Sequence, residues 1–174
     1  MALEQRLKRQ IAQSIESFRL PHYMEIPNVG LFLDQTAKYI SEALMPLQDA
    51  ALTGSMISNY VKKDLIANPV RKQYDREQIA YLFFIAVAKS VLTLEEIQWV
   101  IRLQKASYSP ERAYEYFRME LQNVLLYVFG LKEQLDKIGV DNTDEKNILR
   151  NTIIAVAHKV YLNKTLAVIQ AQQE

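Results

Sequence analysis

Leu3, Leu7, Ile11, Ile15 and Phe18 recur every three or four positions, with Gln, Arg, Lys and Glu between them. That spacing draws one apolar stripe down a helix over about residues 2–18. A linker with Pro21 and Pro27 follows. Asp34 can cap the next helix, which runs to about Leu44 with Ala37, Ile40, Ala43 and Leu44 inward, until Pro46 interrupts it. Thr53 or Ser55 caps a short helix ending near Lys63. Residues 67–74 are too few and too proline-marked for a helix, and leave room for one short hairpin. Asp75 with Gln78 three residues on reads as a capping box. The helix it opens, Arg76 to Val91, is apolar on most sides and therefore central. Thr93 with Glu96 makes a second box, before Ile97, Val100, Ile101 and Leu103. Ser109 before Pro110 sets another start, for a helix ending near Gly130. A short helix is expected at Lys132 to Ile138, and a last one from Asn142 or Thr143 to about Gln170. The chain is all-α.

The last helix carries two apolar stripes, Leu149, Ile153, Val156, Val160 and Ile154, Ala157, Tyr161, Val168. A helix apolar on two sides is deeply buried or pairs with another chain, and a homodimer through the C-terminal helices is the favoured expectation. Residues 99–129 hold Trp99, Tyr108, Tyr114, Tyr116, Phe117, Tyr127 and Phe129. Such a run reads as a core between two helices, or as the wall of a pocket for a small-molecule effector.

Composition narrows the function classes. Apolar residues make up 49% of 174, enough for a packed core. There is no cysteine, which removes disulfides, thiolate metal sites and a cysteine nucleophile. No run of about 18 apolar residues suggests a membrane span, and residues 1–20 lack a signal-peptide core, so the expected location is cytoplasmic. His22 and His158 stand alone in the sequence, and Glu95-Glu96 sits in a first helical turn. With no Gly-rich phosphate loop and no GxSxG, neither an enzyme nor a metal site nor a cofactor is expected.

The net charge is only +1, but it is unevenly spread. Residues 54–76 hold five Lys/Arg against two Asp (+3), whereas residues 21–53 hold one Lys against four acids (−3). Any attraction to nucleic acid must therefore be local, in MISNYVKKDLIANPVRKQYDREQIAYL, Met56 to Leu82.

The order of motifs adds what charge does not. Tyr60-Val61-Lys62-Lys63-Asp64-Leu65-Ile66 ends a short capped helix, a basic turn with Pro69 follows, and Tyr74-Asp75 opens the next helix before Leu94-Glu95-Glu96-Ile97. This resembles the DNA-binding head of MerR-type regulators, in which a recognition helix precedes a short wing. With Leu31-Phe32-Leu33-Asp34-Gln35, Leu52-Thr53 and Lys72-Gln73-Tyr74 included, the pattern over about residues 20–105 is similar to a bacterial family of unknown function with a MerR-like helix-turn-helix. The departures are specific. Asp64 stands where the family has a left-handed glycine, Ser58-Asn59 replace its Arg-Tyr pair, and the wing is short.

The resemblance implies a helix-turn-helix head (21–105); the apolar patterns on either side of it give an N-terminal amphipathic helix (1–20) and a helical dimerisation or effector region (106–174). Ile57 and Val61 should face inward, leaving Ser55, Ser58, Asn59, Lys62 and Lys63 outward. Asn59 suits an adenine edge, Ser58 a base or phosphate, and Lys62 and Lys63 phosphates. Tyr60 and Tyr74 are either packing residues or phosphate contacts. Arg71, Lys72 and Arg76 would form the flank. The expected function is a transcriptional regulator of double-stranded DNA. The competing class is a helical protein–protein module that kept the head and lost DNA binding.

Overall fold

The computed structural model describes residues 5–139 and 142–172, so Ala2 and Leu3 of the first expected helix lie outside it. Within that range α1 (Gln5–Glu16) buries Ile11 and Ile15, and Phe18 follows into the core. Then come α2 (Leu33–Ala43), α3 (Gly54–Lys62), α4 (Arg76–Ala88), α5 (Leu94–Ser107), α6 (Pro110–Val128) and α7 (Asp144–Gln170). Single 3-10 turns cover 23–25 and 45–47. The all-α expectation holds. Among the described residues the exception is a two-stranded antiparallel ribbon, β1 (Leu31–Phe32) with β2 (Gln73–Tyr74), in which Leu31 faces Tyr74.

Most helix starts lie where local chemistry puts them. Thr53, Asp75, Thr93, Ser109 and Thr143 each accept a hydrogen bond from a backbone N–H three residues on. The Asp75–Gln78 and Thr93–Glu96 boxes close in both directions. Asp34 is not the cap of α2. Pairing with β2 keeps the chain extended through Phe32, so the helix begins at Leu33 and Gln35 accepts from the Phe32 N–H at 2.9 Å. Asp34 instead sits in the first turn, where the helix dipole favours it.

Residues 132–138 are not helical. Side chains from two helices take over their backbone groups. Asn123 exchanges bonds with the N–H and carbonyl of Asp136, and Arg150 donates to the same carbonyl at 2.6 Å. Lys132 closes the loop by pairing with Asp136.

α4 is the centre: from Gln78 to Ala88 every residue is buried. Tyr39, Phe83, Tyr114, Phe117 and Phe84 form a chain of tilted and edge-on rings across it. By length and composition alone α7 could cross a membrane. Here its first stripe packs into the core, and of its second stripe Ala157 is buried while Tyr161 meets Phe129 edge-on at 5.2 Å. Both stripes thus serve the chain's own packing. One core runs from Ile11 to Val160.

Candidate nucleic-acid interface

α3 ends in a Schellman motif. The Asp64 N–H reaches the Val61 carbonyl at 3.1 Å, and the Leu65 N–H reaches the Tyr60 carbonyl at 2.9 Å. Asp64, at φ 56°, occupies the left-handed position expected from the glycine it replaces. Leu65 and Tyr60 are both buried beneath the turn. Gln98 of α5 then donates to the carbonyls of Lys63 at 2.9 Å and Asp64 at 3.4 Å, which ties the end of α3 to the core scaffold. Ile57 is buried and Val61 half-buried, as expected. Ser55, Asn59, Lys62 and Lys63 are exposed, and Ser58 is half-buried.

The expected hairpin is a two-residue turn. Val70 and Gln73 pair as an antiparallel bridge, with the Gln73 N–H on the Val70 carbonyl at 2.9 Å. Between them Arg71 and Lys72 both have positive φ, 51° and 64°. That is the sign pattern of a type I′ turn, whose preferred residues are Asn-Gly. Two basic, Cβ-bearing residues in these positions store strain at the tip. The base of the turn is firmly held. Buried Gln78 donates to the carbonyls of Ala67 and Asn68, and the ribbon pairs Gln73 with Phe32. Gly30, at φ +79°, lets Gln73 approach so closely that a Cβ there would lie 3.0 Å from Gln73 Cβ.

Lys62, Lys63, Arg71 and Lys72 are all exposed, and among the described residues none has a carboxylate or hydrogen-bond partner for its side chain. Three other candidates turn inward. Tyr60 and Tyr74 are each 3% exposed, and burial raises both phenols above the ordinary 10.0. Their rings seat α3 and β2 on the core. Arg76 is half-buried. It donates to the carbonyls of Ile26 at 2.9 Å and Met24 at 3.1 Å and lies 5.7 Å from the centre of the Tyr23 ring. It ties the 21–30 linker to α4 and does not extend the basic flank.

The signal for Gln98 was absent from the sequence, because its contact spans 35 residues. His22 likewise has a partner that sequence distance hid: its Nδ1 lies 3.5 Å from Glu115. Burial pushes the Glu115 carboxyl up, but the Tyr23 N–H and Arg118 outweigh it and hold the group below its ordinary 4.5.

A family model described as a domain of unknown function, DUF1836, matches residues 21–117, more than half of the chain. The chain belongs to the DUF1836 family. No curated protein and no solved structure matches it. The DUF1836 stretch runs beyond the expected boundary at 105, and a physical reason is visible. Tyr114 donates to the Pro21 carbonyl at 2.9 Å, and Glu115 accepts from the Tyr23 N–H at 2.6 Å. The first turn and the last helix of the family unit are thus bonded to each other.

Proposed function

We propose that this DUF1836 protein is a DNA-binding regulator with a MerR-like helix-turn-helix head. In this reading α2 and α3 are the helix-turn-helix, α3 enters the major groove, and the 70–73 turn is a short wing against the backbone. One observation carries it. Four exposed cations, unpaired among the described residues, sit on the end of α3 and on the turn, and two of them occupy strained left-handed positions where neutral Asn-Gly would be favoured. Lys62 and Lys63 would take phosphates on one side and Arg71 and Lys72 on the other. Ser55, Ser58 and Asn59 are left to face base edges.

A homodimer belongs to the same reading, since two-fold operators require one. Its support is an apolar groove of ≈ 760 Å³ between α5 and α7, rimmed by Trp99 at 58% exposure and floored by Leu103 and Ile148. A second reading, the protein–protein module, is favoured by Phe32 and Val70. They are 51% and 73% exposed and both pair with Gln73 through the backbone.

Fluorescence anisotropy on random duplex DNA at low and near-physiological salt separates the two. The regulator binds in a steeply salt-dependent way, and Lys62→Ala/Lys63→Ala weakens it. No binding at either salt, from a folded chain, transfers the conclusion to the interaction module.

A further inference from the structure

A cleft of ≈ 330 Å³ opens between the end of α5, the first half of α6 and the start of α7. It lies at the low end of the roughly 300–1,000 Å³ range of small-molecule sites. Its walls are apolar and flat, built from Tyr108, Tyr116, Met119 and Leu149. Gln104 lines it as well. This residue is 7% exposed, and among the described residues its side-chain amide has no hydrogen-bond partner. A group in the cleft could satisfy both its donor and its acceptor.

The charges around the cleft are not equivalent. Glu115 is already bonded to Arg118 and the Tyr23 N–H. Glu145 accepts from the Ser107 hydroxyl at 2.9 Å, and its own backbone N–H and that hydroxyl hold it below the ordinary 4.5. Lys146 lies over the Tyr116 ring at 4.9 Å. Arg112 lies over the Tyr108 ring at 5.5 Å and, among the described residues, has no carboxylate partner. A guanidinium already oriented on a ring face presents its fork to an incoming carboxylate.

From this arrangement we infer that the cleft is a binding site for a small organic acid with a flat apolar body, its carboxylate on Arg112 and a polar edge on Gln104. The inference goes beyond DNA binding and does not depend on it, so the test uses the full chain without DNA. Isothermal titration calorimetry compares naphthalene-2-carboxylate with 2-naphthalenemethanol and 2-naphthylmethylammonium. The carboxylate should bind about tenfold or more tightly than the alcohol, and the ammonium should bind weakest. Arg112→Ala should remove the carboxylate's advantage and leave alcohol binding in place. Arg112 is an exposed residue, so the variant should fold. Met119→Trp, which fills the cleft from its rim, should abolish binding of all three. Equal affinity for acid and alcohol, an unaffected Arg112→Ala variant, or no binding of any probe at millimolar concentration would each overturn the inference.

Discussion

The Arg71–Lys72 turn offers the sharpest test of the proposed function, because stability and binding should move in opposite directions. Both residues have positive φ, 51° and 64°. A left-handed backbone costs an ordinary L-residue about 1–2 kcal/mol. Arg71→Asn/Lys72→Gly places the preferred I′ pair on the same backbone and removes most of that strain. Glycine's greater freedom in the unfolded chain returns about 0.5–1 kcal/mol of it. The net expectation is a gain of about 1–2 kcal/mol in urea unfolding, with unchanged m. For a chain of this size that corresponds to a rise of roughly 2–8 °C in Tm. Among the described residues neither side chain has a partner, so no contact seen there is lost to offset the gain. On DNA the same variant loses two cations. If both lie on phosphates, the slope of log K against log salt should flatten by about 1.8. A variant that unfolds more easily would refute the strain argument. One that gains stability but keeps its salt slope would refute the wing. The single substitutions assign each effect to its residue.

The remaining expectations concern the scaffold around that site. Asp64→Gly should stabilise by up to about 1 kcal/mol, since glycine suits φ 56° better, and should strengthen DNA binding by removing an acid beside Lys62 and Lys63. Asp64→Asn, which keeps the conformation and loses only the charge, separates the two effects when both variants are titrated. Glu120 is fully buried and bonded to Arg150, and its second carboxylate oxygen has no partner. Arg150→Ala should therefore cost about 3–5 kcal/mol in denaturant unfolding by leaving that carboxylate stranded. Glu120→Leu should cost less than half as much, because half-buried Arg150 can turn to water; the reverse order would contradict this account. Lys164 is buried in α7, and burial lowers its amine below the ordinary 10.5. Lys164→Met should then be the more stable protein at neutral pH. Its advantage should shrink as pH rises through the lowered value towards 10.5, where wild type sheds the charge that burial opposes. A constant difference across that window would show that packing, not charge, sets it.

How far the chain could be read in advance follows from the range of each interaction. The caps at Thr53, Asp75, Thr93, Ser109 and Thr143 act over three residues, so the sequence displays both partners at once. The start of α2 departs from its local signal because Asp34 is a good local cap, while the pairing that sets the start comes from Gln73 and Tyr74, about forty residues on. The loop at 132–138 has helical composition, yet its backbone is claimed by Asn123 and Arg150 from α6 and α7. The basic flank was legible as composition at Lys62, Lys63, Arg71 and Lys72. Arg76 could not be told apart from them without seeing the Ile26 and Met24 carbonyls it holds.

The left-handed positions separate two kinds of legibility. At Asp64 the conformation was readable, because a motif with glycine in that place exists for comparison. At Arg71 and Lys72 nothing local announces it; every turn preference argues for other residues. Natural sequences agree with their backbone where structure alone is at stake and depart from it where something else constrains the side chain. Gly30, Gly130 and Gly139, at φ 79°, 72° and 78°, are agreeing cases, the first two serving the ribbon and the end of α6, whereas Gln48, at φ 63°, departs without carrying charge. The two disagreeing neighbours are both cations, both exposed, and both at the tip of a turn whose base is pinned by Gln78 and Gly30. A scaffold that would be steadier with Asn-Gly carries Arg-Lys instead. That mismatch, more than the local charge of +3, is what supports the proposal that this tip meets a partner rich in negative charge.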